Sequence, residues 1–569
     1  MKKLIATVLT LALFLSLCVP VLAEGPHEIV SRDIPLYLST EDSGETMKLY
    51  FLDGVSDLPW VELRDWIDLA TLIYTMGGTQ PGYELTLSTA GPVACYTREN
   101  GFTMVIDFDE NTFRFMDYNM FMKIPNMSTL LDFTSSSCFN EAGEPALMKK
   151  SDDYSFDRYG DELVVRLGDY GIDIVSQDGL YLVPLQTMAD ITLAPSTGFN
   201  TFFNGQCLIL DSGIKKDNEV YYAAPAGQRS AALAEYGYNE LCLALDSLYG
   251  LKGVHEINSF EQVFHQIGFD EPLRGTDAEM ADKVLYNFIN QYLDDLHSGF
   301  GAFSYLTGPI DYKAENGPSL ASLAEHLDTH LQARAAQYPE GAPAYEEVGN
   351  TAYITFDHFE IHSGSYEDYY GYESARDIPL DDSDTIAMIL RAHEQITREG
   401  SPIENVVIDL SCNTGGVVDT AACLIAWCLG KASISLKDTF TGAMANTDYW
   451  ADVNLDRVFD ERDTISDKNI YCLISPVSFS CGNLVPNVFK QSGKVTLMGR
   501  TSGGGSCVVQ SLSTAWGTSF TISAPRRMSF MKNGSLYDID RGADPDYTIS
   551  TPAKYYDRAA LTDFINSLY

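Results

Sequence analysis

Asn405-Val406-Val407-Ile408-Asp409-Leu410-Ser411-Cys412-Asn413-Thr414-Gly415-Gly416 is the stretch on which the reading of this chain turns. Its first half is an unbroken run rich in β-branched residues, the pattern of a strand covered on both faces. Its second half is a polar turn ending in two glycines, and Val418 to Leu429 then reads as a helix. The same order returns downstream, with Ile470 to Ile474 as a strand, Ser478-Phe479-Ser480-Cys481 as a turn and Gly482 to Gln491 as a helix. A third turn, Gly499-Arg500-Thr501-Ser502-Gly503-Gly504-Gly505, follows. Strand, turn and helix in repetition predict an α/β layer whose turns gather at the strand ends. Upstream, Ala352 to Phe356 predicts another strand and Asp384 to Arg398 an amphipathic helix, so the layer spans residues 351–569.

Before that layer the pattern changes twice. Residues 227–350 carry apolar positions at helical spacing, as in Leu241-Cys242-Leu243-Ala244-Leu245, and the stretch Asp277 to Leu296 ends at His297-Ser298-Gly299. Residues 24–226 instead hold short alternating runs such as Phe102-Thr103-Met104-Val105-Ile106, separated by Gly, Asp and Asn, which predict a β-rich accessory region. Within it, Leu58 to Ile67 recurs in style as Leu180 to Ala189, each a strand entering a short helix. This possible internal repeat resembles the small secreted domain first named from the N-terminus of copper amine oxidases, a label that implies no copper.

Composition excludes several function classes. The net charge of −42, from 37 basic and 79 acidic side chains, repels nucleic acid and anionic membrane. Lys2 and Lys3 before the apolar run Leu4 to Val19 read as a signal peptide, residues 1–23, with cleavage after Ala23. Cys18 is preceded by Leu17 rather than a small residue, which disfavours lipidation there. The expectation is a secreted, extracellular chain with no membrane-spanning segment once mature. The eleven cysteines sit mostly in apolar contexts and read as core residues, with one or two disulfides possible. Nine histidines with no paired-histidine motif give no zinc pattern, so no metal and no organic cofactor is expected.

A serine among small residues, flanked by glycine turns, is a candidate nucleophile, because such turns present backbone N–H groups to an oxyanion. Ser480 could instead be a helix N-cap, and His297 a histidine at a helix end. Cys481 offers a thiol as the rival nucleophile. The residues Asn405 to Leu410 with Asn413-Thr414-Gly415-Gly416, Ser478-Phe479-Ser480, Gly499-Arg500-Thr501 with Val509-Gln510, and Gly542-Ala543-Asp544-Pro545-Asp546 resemble the tail-specific, or C-terminal processing, serine peptidases and their tricorn-like relatives. The resemblance implies a ClpP/crotonase-like α/β core with a mixed sheet. It implies Ser480 as the nucleophile, with oxyanion donors at Gly415 or Gly416 and at Cys481.

The lysine base of the processing branch would fall at Gly504, so a Ser/Lys dyad is not expected. The tricorn-like branch takes a histidine from an Asp-x-His-type segment, matched here by Leu293-Asp294-Asp295-Leu296-His297-Ser298. His297 is then the implied base, since an imidazole accepts a proton near neutral pH. The family's auxiliary serine precedes the histidine, where this chain has Leu296, and Ser298 is a loose substitute. Asp540, or Asp538 beside it, is the implied orienting carboxylate. The interval from His297 to Tyr353 is too short for a PDZ-type module, and strands of the N-terminal region could bind a peptide by edge addition instead. The expected activity is serine-type endopeptidase, its partner a peptide or protein substrate. The alternative is an inactive peptidase-fold protein that binds extracellular peptides or cell-envelope components.

Overall fold

The computed structural model of the chain describes residues 25–75, 84–124, 129–132, 144–151, 155–158, 162–361, 366–379 and 384–569. The signal-peptide reading, at residues 1–23, lies outside them. Five strands run parallel through the core, in the order Thr351–Thr355, Asn405–Asp409, Asn469–Ile474, Val495–Gly499 and Tyr547–Thr548. Tyr345–Val348 adds an antiparallel edge.

The apolar runs in these strands make sense once both faces are followed. Val406, Ile408, Ile470, Cys472 and Leu497 point to the helices Thr385–Thr397, Val418–Leu429 and Cys481–Ser492. Their alternates Tyr353, Val407, Tyr471, Leu473 and Met498 pack on Tyr555, Tyr556, Leu561 and Ile565 of the C-terminal helices. A strand with period-two side chains and a cover on each side has no polar face to show. The mixed α/β architecture expected from the sequence is the one found.

A second sheet is shared between regions that the sequence pattern separates. Its path runs Gly299–Ala302, Ser519–Ser529, Ala432–Asp438, Met444–Ala451 and Met148–Lys150, while Cys507–Ser513 pairs with Ser519–Ser529 and Ser155–Arg158 with Met444–Ala451. Strands from the accessory region and from the segment carrying His297 therefore join the same sheet as strands of residues 351–569.

Each of the two stretches read alike in sequence is a strand entering a helix. Trp60–Glu62 leads into helix Leu63–Thr75, Leu180–Pro184 into helix Leu185–Thr192, and the two strands pair antiparallel with Val61 opposite Val183. Among the described residues nine cysteines are free thiols, eight of them buried. No helix among these residues is long and apolar enough to cross a membrane.

Candidate functional site

Three turns at the ends of parallel strands converge on Ser480. The serine heads helix Cys481–Ser492 with φ +56 and ψ −122, a backbone conformation that L residues avoid and that is held in place only by its surroundings. Its N–H donates to the carbonyl of Gly504 at 2.9 Å, and the Phe479 N–H donates to the carbonyl of Asn413 at 3.1 Å. The glycine turns upstream and downstream thus grip the serine turn by backbone bonds on both sides. Gly415 has φ +104, and a Cβ there would lie 2.5 Å from the Cβ of Ser480 and 3.0 Å from its Oγ. Glycine at 415 is therefore required by the close approach of the serine side chain. Although Ser480 occupies the position before the helix, its side chain makes no capping bond.

The three expected oxyanion donors separate. Gly415 spends its N–H on Asn413 Oδ1 at 2.9 Å, which removes it from the set. The N–H groups of Gly416 and Cys481 have no acceptor among the described residues. The Cys481 thiol donates to the Gly416 carbonyl at 3.2 Å, tying the two free donors to each other. Burial pushes that thiol up to about 12, so Cys481 stays protonated at neutral pH and is no thiolate nucleophile.

His297 follows a π-helical turn, Phe288–Leu293, and sits in a loop built around one carboxylate. Asp295 accepts the N–H groups of His297 and Ser298, each at 3.0 Å, the hydroxyls of Ser298 at 2.6 Å and Ser523 at 2.7 Å, and the Tyr249 hydroxyl at 2.9 Å. Ser298 in turn accepts the Ser523 N–H at 3.3 Å, so it holds the loop to the neighbouring strand. Sequence reasoning placed Asp295 in the Asp-x-His-type segment but gave it no role. Its signal was an aspartate two residues before the histidine, the spacing at which a carboxylate caps its own turn.

The imidazole of His297 packs against the Phe479 ring with centroids 4.7 Å apart, beside the residue that precedes Ser480. Among the described residues its ring nitrogens make no hydrogen bond, to Ser480 or to a carboxylate. Burial lowers the His297 pKa below the ordinary imidazole value, against the opposing pull of Asp295 and Asp540.

Neither expected orienting carboxylate bonds to His297. Asp540 accepts the Ser506 N–H at 2.7 Å and its hydroxyl at 2.9 Å, and pairs with the Arg527 guanidinium. Asp538 is also paired with Arg527, at 3.1 Å. The physical reason is a competitor the sequence pattern did not expose: Arg527 arrives from strand Ser519–Ser529, and a charge-assisted bond outcompetes one to a neutral ring. Asp540 acts on His297 through its charge alone. A cavity of about 510 Å³ opens between them, lined among others by His297, Phe479, Gly503, Gly505, Ser506 and Asp540.

A base must be unprotonated to work, so the lowered pKa carries a sign. If His297 serves as a base, the reaction it supports is expected to hold its rate as pH falls past the ordinary imidazole value of about 6.5 and to drop only below it. A kcat/KM profile whose acid limb lies at or above that value, or one unchanged by His297→Gln, would count against His297 as the base.

Residues 350–549 match the family model described as peptidase family S41. No curated protein matches the chain. Among solved structures, the photosystem II D1 C-terminal processing protease is 16% identical, with 37% of this chain and 46% of that one covered and a TM-score of 0.26. The chain thus spans about half the length of that protein. The mature form of CPAF in complex with lactacystin is 12% identical over 59% of this chain and 99% of that one, with a TM-score of 0.37. The tricorn protease is 12% identical over 85% of this chain and 60% of that one, with a TM-score of 0.31.

Proposed function

We propose that this chain, which carries a serine-peptidase domain of family S41 over residues 350–549, is an exported endopeptidase of the tricorn-like, histidine-using kind. One observation carries the reading above the rest. Ser480 is held at a strained backbone angle against the Gly415 turn, and the N–H groups of Gly416 and Cys481 have no acceptor among the described residues. Ser480 Oγ attacks the scissile carbonyl and its proton passes to His297. The carbonyl oxygen becomes an oxyanion held by the Gly416 and Cys481 amides. His297 then returns the proton to the leaving amine, and water repeats the sequence on the acyl-enzyme. Asp295 positions the histidine loop, while Asp540 favours the imidazolium by its charge. The substrate is a peptide or protein outside the cell or in its envelope, in keeping with the leader-like residues 1–23.

A second reading, a peptidase fold that binds peptides without cleaving them, draws on the missing hydrogen bond between His297 and Ser480. Catalytic bonds of this kind often close only in the substrate complex. Labelling with a peptidyl phosphonate separates the two. Covalent adduct on Ser480, found by mass spectrometry and absent after His297→Gln, is the expected result; no adduct at any pH favours the binding protein.

A further inference from the structure

Strands Ala432–Asp438 and Ser519–Ser529 pair antiparallel, and their register sets Lys437 directly opposite Arg527. Like charges facing across a ladder destabilise it unless something neutralises them. Arg527 is compensated by Asp538 and Asp540, but exposed Lys437 has no hydrogen bond or ion pair among the described residues. Both line a cavity of about 790 Å³ with Lys252 and Arg541, against Asp246, Asp538 and Asp540. Lys252 is paired with Asp246, while Arg541 is almost wholly exposed and only 3.8 Å from an Asp538 already shared with Arg527. Four basic side chains against three acidic ones reverse the balance of a chain in which acids outnumber bases about two to one. In a surface of net charge −42, such a pocket is the place where an anion finds a favourable field.

The pocket adjoins the cavity beside His297. Val254 and Asp540 line both this cavity and the one beside His297. The Asp540 carbonyl also lies against Gly504, whose own carbonyl accepts the Ser480 N–H. We infer that Lys437, with Lys252, Arg527 and Arg541 around it, forms a subsite for a peptide carboxylate, so that the groove selects substrates acidic near the bond it holds. The choice of a peptide as the bearer of that carboxylate rests on the peptidase reading; the anion site itself rests on the charge geometry.

The test uses the full chain with Ser480→Ala, so that nothing is cleaved, and fluorescein-labelled short peptides read by anisotropy. One peptide carries glutamates and an amidated C-terminus, a second carries glutamines with the same amide, and a third carries glutamines with a free terminal carboxylate. At least one carboxylate peptide is expected to bind about tenfold tighter than the glutamine amide, against the repulsion of the whole chain. Which of the two does so distinguishes a side-chain from a terminal carboxylate. Lys437→Glu is expected to erase the difference, and Lys437→Gln to reduce it if the reversal disturbs folding. Lys431→Glu makes the same change of net charge at an exposed lysine paired with Asp448, outside the pocket, and is expected to leave binding intact. Equal or tighter binding of the glutamine amide, no binding of any peptide, or equal effects at Lys431 and Lys437 overturns the inference. Loss of protease activity in the intact chain would sink the peptidase reading alone, since this binding is measured without turnover.

Discussion

Ser480→Ala is expected to lower hydrolysis of casein by about 10⁴-fold or more while leaving the unfolding transition in place. The size follows from the division of labour at the site. Without the hydroxyl there is no acyl-enzyme, and His297 has no proton to take. The Gly416 and Cys481 amides still offer oxyanion donors, so a residue of activity through direct attack by water survives. Stability is spared because the Ser480 side chain caps nothing at the helix start, and its backbone bond to Gly504 persists in alanine. Casein turnover that survives Ser480→Ala at anything near the parental rate would end the assignment. A collapse of the unfolding transition would show that the serine is structural, the role its place before helix Cys481–Ser492 first suggested.

How much of this was legible in the sequence depends on the range of the forces involved. Asn405 to Leu410 announced its strand because burial on two faces leaves a local trace, an unbroken apolar run. The glycine turns were visible for the same reason, since close approach at Gly415 leaves room for no other residue. Ser480 could be found from those turns. The orienting carboxylate could not. Asp540 and Asp538 stand in the right segment, but their partner is Arg527, on a strand that meets them only after the second sheet has formed. Asp295 was given no role for the opposite reason: two residues before the histidine, it looked like one more charge in an acidic chain, and its five donors come from three separate segments. The limits at residues 226 and 350 also reflect local composition, whereas Met148–Lys150 and Gly299–Ala302 are paired with strands hundreds of residues away.

Arg558→Met is expected to destabilise the protein by about 3 to 5 kcal/mol, the cost of leaving a buried charge without its partner. The guanidinium meets Asp409 at 2.7 Å with both side chains almost wholly buried, and also bonds to Glu346, Thr355 and the Tyr555 carbonyl. Burial alone would pull its pKa down, but the Asp409 charge raises it overall, so the guanidinium keeps its charge. Asp409 ends the strand Asn405–Asp409, and its other oxygen accepts the Ser411 N–H at 2.9 Å, the first bond of the turn that leads to Gly415 and Gly416. Helix Arg558–Asn566 is therefore tied to the start of the Gly415–Gly416 turn by this ion pair, beside the Tyr556 hydroxyl that meets Ser411 and Cys412. Asp409→Leu combined with Arg558→Met removes both charges at once and is expected to recover part of the loss in a denaturant titration, as a double-mutant cycle detects. Arg558→Met within about 1 kcal/mol of the parent, or a double variant whose losses simply add, would show that no such coupling exists. If the pair does hold the turn, the double variant keeps the fold but loses the bond that sets Ser411. Its kcat/KM should then fall while its unfolding midpoint recovers, a divergence that a purely structural ion pair would not produce.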